Sequence, residues 1–319
     1  MGVEFVFIAD LDDPDVIDVA AGLELLGAEY RWLKLAMDHT EYRISVSSES
    51  CDFEAGGVAL TSEEIRSARV VVFRRWRSSP PAPIVRAQLM SDPSHFAERE
   101  WDTAVGTVLQ SWYGAGGATW SRPALEPPTK LMQLRKCEWA GLPVPPYRVS
   151  NVPRLFEADL VTKALSVDQS VGDGRFVTRS VVDDGLERMF ANTQPCPVLL
   201  QKLVSVRLEL RVLYSFGCVA AVAQKREDGS GGVDIRLANV VRRPWTVDDE
   251  IRSMMQTIAR VLALNLFSVD ILIDTAGRYW LIDINHDGLV GPVDDESRTL
   301  RSALLEGISG HATELTDGG

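Results

Sequence analysis

The sequence predicts an α/β (α+β) chain of three lobes: a Rossmann-like first lobe, a small central α+β lobe and a C-terminal lobe built on an antiparallel sheet. Three observations carry this. A compact apolar run over residues 3–9 ends at Asp10, and Pro14 then opens a helical pattern. Glycine and proline clusters break the middle of the chain into short segments. Beyond Pro195 and Pro197 the apolar residues alternate, or run unbroken, at strand length. The expected divisions are 1–120, 121–197 and 198–319.

In the first lobe the apolar positions Val16, Val19, Ala20, Leu23 and Leu26 recur at helical spacing up to Gly27. Tyr30–Leu35 and Val70–Phe73 read as further strands, and the polar segment between them has no clear order. A strand–helix–strand start of this kind is Rossmann-like, although no Gly-x-Gly-x-x-Gly fingerprint accompanies it. Residues 94–112 are helical and close at the Gly114–Gly117 cluster. A second helix runs from Pro127 to the Gly141-Leu142-Pro143 stop, and Pro145 and Pro146 lead into a strand. Leu160–Leu165 and Phe176–Thr178 flank a loop, 166–175, rich in Ser, Asp and Gly. Val198–Gln201, Val206–Tyr214 and Cys218–Gln224 suggest an antiparallel sheet, with a hairpin turn at Gly217. A helix over Asp248–Leu264 precedes a second hairpin, Phe267–Ile273 and Tyr279–Ile284, turning at Thr275-Ala276-Gly277.

Composition narrows the function. A net charge of −12, with the acids spread along the chain, argues against general nucleic-acid or anionic-membrane binding, which need a basic surface. Cys51, Cys137, Cys196 and Cys218 form no Cys-x-x-Cys pair, so neither a disulfide framework nor a zinc knuckle is indicated. The N-terminal run is short and carries Glu4 where a signal peptide has basic residues, and no stretch reaches membrane-spanning length. The expected location is the cytoplasm.

The second hairpin is the most informative segment. Residues two apart on a strand share a face, so Asp283 and Asn285 point the same way and the hairpin brings Asp270 beside them. Three oxygen donors converging on a hairpin suit Mg²⁺, which takes few protein carboxylates and keeps water or phosphate oxygens. Asp-x-Asn alone is a common strand end. These acids, however, sit within Phe-Ser-Val-Asp-Ile-Leu-Ile and Tyr-Trp-Leu-Ile-Asp-Ile-Asn, and a carboxylate in such surroundings is costly unless paired or metal-bound.

The segment Phe267-Ser-Val-Asp270-Ile-Leu-Ile with Gly277-Arg-Tyr-Trp-Leu-Ile-Asp283-Ile-Asn285 resembles the metal-binding hairpin of the ATP-grasp superfamily. Upstream, Thr129-Lys130-Leu, Gly141–Asn151, Val161-Thr-Lys163, Phe176-Val-Thr178, Val198–Val204 and Glu209-Leu-Arg211 occur in the order that superfamily uses. The resemblance is closest to the microviridin-type peptide ligases, or graspetide synthetases, with RimK-like ligases as a second relation. Phe73-Arg74-Arg75 and Asp234-Ile-Arg236 resemble that group's Arg-Arg and Asp-x-Arg elements.

The resemblance implies an ATP-grasp fold, ATP and Mg²⁺ as cofactors, and ligation through an acyl phosphate. It implies Asp270, Asp283 and Asn285 as metal ligands, with Arg211 and Asn285 catalytic. Lys130 and Lys163 would reach ATP phosphates, while Gln201, Lys202 and Val204 would line the adenine hinge. Taken alone, Lys130 fits a solvated helix end equally well. Asp234, Arg236 and Arg74 would contact substrate, and loop 166–175, with Gly172 and Gly174, would form a lid. The implied partner is a precursor peptide with a leader sequence, and homodimerisation is left open. Three departures stand out: Asp283 where Glu is usual, Lys202 where an acid is common, and His286-Asp287-Gly288 after Asn285. A RimK-like ligase adding an amino acid, or a non-catalytic binding scaffold, are the alternatives.

Overall fold

The computed structural model describes residues 4–35, 42–47, 50–74, 94–115, 117–122, 128–150, 160–163, 165, 170–171, 175–176, 180–181, 197–226, 240–287 and 298–317. Arg75, Asp234, Arg236, Gly172, Gly174 and Cys196 lie outside them.

The first lobe begins with β1 (Phe5–Asp10), α1 (Pro14–Leu25) and β2 (Tyr30–Leu35). Asp13 caps α1, its carboxylate accepting from the N–H groups of Asp15 and Val16, and Pro14 stands where its missing N–H costs nothing. Strands β3 (Arg43–Val46), β4 (Cys51–Ala55) and β5 (Val58–Thr61) then form an antiparallel meander, which gives the polar segment its order. Helix α2 (Ser62–Ser67), held by a Thr61–Glu64 capping box, leads to β6 (Val70–Phe73), α3 (Ser94–Ala115) and β7 (Thr119–Trp120). The parallel sheet has order β2-β1-β6-β7. Both of its faces are covered, which is why β1 reads as an unbroken apolar run. Phe5, Phe7 and Ala9 enter one core, while Val6 and Ile8 enter another with Phe53, Leu60, Val108 and Trp112.

The central lobe contains α4 (Lys130–Trp139), β8 (Tyr147–Ser150), β9 (Leu160–Lys163), β10 (Ser170–Val171), β11 (Arg175–Phe176), β12 (Ser180–Val181) and β13 (Val198–Lys202). Its sheet has order β12-β9-β13-β8. The expected division before residue 198 therefore cuts off a strand that pairs with both β8 and β9. Apolar patterning identifies a strand but does not name its neighbours. The expected lid contributes the short β10–β11 pair, and its remaining residues fall outside the described ones apart from Arg175.

The C-terminal lobe consists of β14 (Val206–Ser215), β15 (Cys218–Arg226), β16 (Val240–Trp245), α5 (Asp249–Leu262), β17 (Leu266–Asp274), β18 (Tyr279–Asn285) and α6 (Arg298–Asp317). The antiparallel sheet has order β16-β15-β14-β17-β18. Phe216 and Gly217 both have positive φ between the paired Ser215 and Cys218, the geometry of a type I′ hairpin. The second hairpin turns around Asp274, whose carboxylate accepts from Trp280 Nε1, the N–H groups of Ala276 and Arg278, and Arg278 Nε. These donors, the Trp280 indole foremost, hold its pKa well below the usual carboxylate range.

Helix α5 lays Ile251, Met254, Met255, Ile258 and Leu262 on one face of this sheet, against Leu210, Val212, Val269 and Ile271. On the other face, Leu213, Ala220, Val222 and Leu266 join β1, α1 and α6 in a single core, which joins the first lobe to the last. Helix α6, which the sequence reading does not include, is wedged into this junction. Leu300, Ala303, Leu304 and Ile308 are buried, Arg301 pairs with Asp18, and the Ser215 hydroxyl donates to the Leu304 carbonyl at 3.1 Å. Among the described residues no helix is long and apolar enough to cross a membrane.

Gly307 lies where α6 meets the β14–β15 turn, and a Cβ there would overlap the carbonyl oxygen of Ser215. Helix propensity alone favours Gly307→Ala by about 1 kcal/mol. Overpacking against a backbone atom outweighs it, so the variant is expected to lose about 1–3 kcal/mol, seen as a lower thermal midpoint. A raised midpoint would show that the helix sits farther from the turn.

Candidate active site

The register of three neighbouring strands builds the site. Arg211 on β14 pairs with Asp270 on β17, and Asp270 pairs with Asp283 on β18. A guanidinium and two carboxylates thus stand in one row on one sheet face. Opposed carboxylates repel, and Arg211 offsets this by gripping Asp270 from the side, Nε at 3.0 Å from Oδ1 and Nη2 at 3.2 Å from Oδ2. The Asp270 carboxylate raises the Arg211 pKa, against the opposing pull of burial. Glu209, two residues back on the same strand and buried, adds to that rise.

A bulge completes the row. Ile271 pairs with Leu281 while Asp270 pairs with Asp283, so Ile282 is an extra residue in β18. The Ile282 carbonyl accepts from Lys163 Nζ at 2.7 Å, although Lys163 belongs to the central lobe and is only 5 % exposed. Lys130, at the start of α4, places its Nζ 3.9 Å from Asp283 Oδ1. A lysine of the central sheet and one on α4, a helix whose Cys137 packs in the C-terminal core, therefore converge on the carboxylate row. Asn285 follows on the same face opposite Ser268, a buried hydroxyl residue that the sequence reading does not single out.

Lys130, Lys163 and Arg211 balance Asp270, Asp283 and Glu209 in formal charge. A polyphosphate entering here must bring its own counter-charge, which a divalent cation supplies. The donors that would hold it are all oxygen, two carboxylates and the Asn285 amide, as a hard, partly hydrated ion such as Mg²⁺ requires. Among the described residues no cluster of three His, Cys, Asp or Glu offers a metal cage. The residues present fit Mg²⁺ rather than a structural zinc.

The link from β13 to β14 crosses between the lobes. Gln201 is buried with its Nε2 unpartnered, the Lys202 N–H donates to the Pro146 carbonyl at 2.8 Å with its side chain exposed, and Val204 is half-buried. Leu203 between them is 40 % exposed, an apolar surface open at the hinge.

Arg74 departs from its expected substrate contact. It is 1 % exposed, with Nε donating to Asp13 at 3.0 Å, Nη2 to Asp15 at 2.6 Å, and Nη1 to the Asp287 carbonyl. A guanidinium enclosed in this way is a tie between the first lobe and the turn after Asn285. The same turn engages Arg122, whose Nη1 lies 3.2 Å from Asp287 Oδ1 and whose guanidinium stacks on Phe73 at 4.4 Å. The sequence offers no pattern that singles out Arg122. Its partner Asp287 stands within the His-Asp-Gly departure. His286 of the same departure is half-buried, and burial lowers its pKa against the pull of Asp287. A separate cavity of about 590 Å³, lined by Tyr113, Trp120, Tyr214 and Arg260, shares no residue with this cluster.

No protein-family model matches the chain, and no curated protein matches it. Solved structures do. The macrocyclase MdnC bound with precursor peptide MdnA from Microcystis aeruginosa MRC superposes with a TM-score of 0.73 at 19% identity, covering 96% of this chain and 99% of that one. The ATP-grasp ligase PsnB complexed with a minimal precursor gives 0.73 at 21% identity, covering 98% and 99%. The chain has the ATP-grasp fold. A Chryseobacterium gregarium RiPP-associated ATP-grasp ligase, in complex with ADP and a leader and core peptide, gives 0.69 at 15% identity over 96% of this chain and 97% of that one. Similarity runs nearly end to end in each case, so the first lobe shares the fold as well as the central and C-terminal lobes, although its sequence resemblance is loose.

Removing the Arg74 side chain takes the guanidinium away from two buried carboxylates, Asp13 and Asp15. Arg74→Ala is expected to cost about 3–5 kcal/mol in chemical denaturation. A change under about 1 kcal/mol would show that the tie between the lobes carries little weight.

Proposed function

We propose that this chain is an ATP-dependent ligase that phosphorylates Asp or Glu side chains of a ribosomal precursor peptide and closes them into ester or amide macrocycles. The observation that carries this reading is the convergence of Lys163, from the central sheet, and Lys130, from helix α4, on the Arg211–Asp270–Asp283 row. It occurs in a fold shared end to end with ligases described as bound to precursor peptides, one of them with Mg and ADP.

Lys130 and Lys163 hold the ATP phosphates as point charges. The hinge from Gln201 through Lys202 to Val204 receives the adenine, its backbone reading the edge of the ring while Leu203 packs on the face. Asp270, Asp283 and Asn285 would hold Mg²⁺, which when bound draws charge from the terminal phosphates. Arg211 steadies the transferring phosphoryl group. An acceptor carboxylate oxygen attacks the γ phosphorus and ADP leaves. A peptide hydroxyl or amine then attacks the acyl carbon, gives up its proton and expels phosphate.

Arg236 and Asp234 contact the peptide in this reading, and the 166–175 segment closes over the intermediate and excludes water. The precursor's leader peptide is the partner, nucleic acid is not, and the reaction runs in the cytoplasm. The working division follows the sequence-based one, with β13 moved into the central lobe and with Ser121 and Arg122, which continue β7 beside β6, kept in the first.

The test incubates the chain with ATP, Mg²⁺ and a leader-bearing peptide whose core is rich in Thr and in Asp or Glu, such as one encoded beside its gene. Mass spectrometry is expected to show a loss of about 18 Da per bond, one water overall, with ADP released in step. Asp283→Ala and Asn285→Ala are each expected to lower the rate at least about 100-fold at an unchanged thermal midpoint. Full activity in either folded variant would overturn the metal assignment. Turnover with free amino acids and no leader would overturn the peptide substrate.

A further inference from the structure

The turn that follows Asn285 is gripped by the first lobe, not by its own. Asn285 Oδ1 accepts from the Asp287 N–H at 3.0 Å, a bond that fixes the orientation of the amide. Asp287 is in turn held twice: Arg122 Nη1 reaches its carboxylate at 3.2 Å, and Arg74 Nη1 donates to its carbonyl. Both arginines are rooted away from β18. Arg74 follows β6 and is clamped by Asp13 and Asp15 at the start of α1. Arg122 follows β7, lies over the Phe73 ring, and is preceded by Ser121, whose N–H donates to the Val71 carbonyl and whose own carbonyl accepts from Asn265 and Leu266.

Arg122 is a poor choice for stability alone. It is 5 % exposed, and among the described residues its Nε has no hydrogen-bond partner and its ion pair is to a carboxylate that keeps 21 % of its side-chain surface in water. A buried cation satisfied so incompletely costs more in desolvation than a single pair returns. Burial, with Arg74 close by, lowers its pKa even though Asp287 opposes the shift. What the residue does secure is the position of the turn that orients Asn285.

We infer that Arg122 is a positioning residue for Mg²⁺ binding: acting from the first lobe through Asp287, it holds the Asn285 amide in its ligating orientation. Arg74 anchors the same turn from the backbone side. The inference rests on the proposed ligase reading and adds a residue outside the central and C-terminal lobes to the machinery of the site. Partners that orient a metal ligand typically change metal affinity about 10- to 100-fold when removed.

The experiment titrates Mg²⁺ against binding of a non-hydrolysable ATP analogue, followed by calorimetry, with no peptide and no turnover. Wild type is expected to bind the analogue more tightly as Mg²⁺ rises. Arg122→Met, which keeps an unbranched apolar side chain in the buried position while removing the guanidinium, is expected to raise the Mg²⁺ midpoint about 10- to 100-fold. Metal-free analogue affinity and the thermal midpoint stay near wild type, and Arg122→Lys restores part of the loss. A wild-type Mg²⁺ midpoint in folded Arg122→Met overturns the inference. If that variant does not fold, Asp287→Asn replaces it, since it keeps the N–H bond to Asn285 and the carbonyl for Arg74 while losing the charge that Arg122 pairs with. It is expected to shift the midpoint in the same direction, and an unchanged midpoint overturns the inference equally. Absence of any Mg²⁺ dependence in wild type defeats the nucleotide-site reading itself, and the inference with it. Dependence in wild type that Arg122→Met does not alter defeats only the inference.

Discussion

The grip of Arg211 on Asp270 is the constraint on which the site depends. Strand register alone would set Asp270 and Asp283 against each other, two like charges on one face. A guanidinium from the next strand makes that arrangement tolerable, and the neighbouring strands β14, β17 and β18 can then present acids to a cleft while their other face packs on α5. The division of the cleft-side face follows the same logic. Near the hairpin turn it is apolar and covered by α6 and β1, and farther along it becomes polar and is met by Lys163 from the central sheet and Lys130 from α4.

Each lobe therefore contributes a different kind of group. The C-terminal sheet supplies oxygen donors, the central sheet and α4 each supply an ammonium on a long stem, and the first lobe supplies guanidinium ties that hold a turn. Lys163 shows how closely the pieces are joined, since its ammonium donates to a backbone carbonyl of another lobe. A charge that bridges lobes in this way reports their separation, and lobe opening would break it. Binding energy from a ligand in the cleft can in this way be coupled to closure.

Much of the site was legible in the sequence because its spacing is local. Asp270, Asp283 and Asn285 lie on one hairpin, so period-two alternation and a glycine turn were enough to bring them together. The parallel sheet was readable for a similar reason, its strands being unbroken apolar runs. What failed was long-range. Val198–Lys202 has the pattern of a strand and nothing that says which sheet it joins. Helix α6 has a mixed surface that packs against two lobes at once, so no single stripe marks it. Arg74 carried a motif resemblance that suggested substrate contact, and only the fold reveals that Asp13 and Asp15, some sixty positions away in sequence, enclose it. Arg122 had no signal, since its meaning comes entirely from a residue in another lobe.

The extra residue in β18 has a wider consequence. Leu281 and Asp283 are two apart and on a regular strand would face the same way, yet Leu281 is in the α5 core and Asp283 faces the cleft. Ile282 is the parity switch between an oily half and an ionic half of one short strand. Chain length at this point, more than residue identity, decides whether the end of the hairpin turns to the core or to the cleft. A sheet of this kind would gain or lose its carboxylate row by the insertion or deletion of one amino acid, with the other side chains of the strand unchanged.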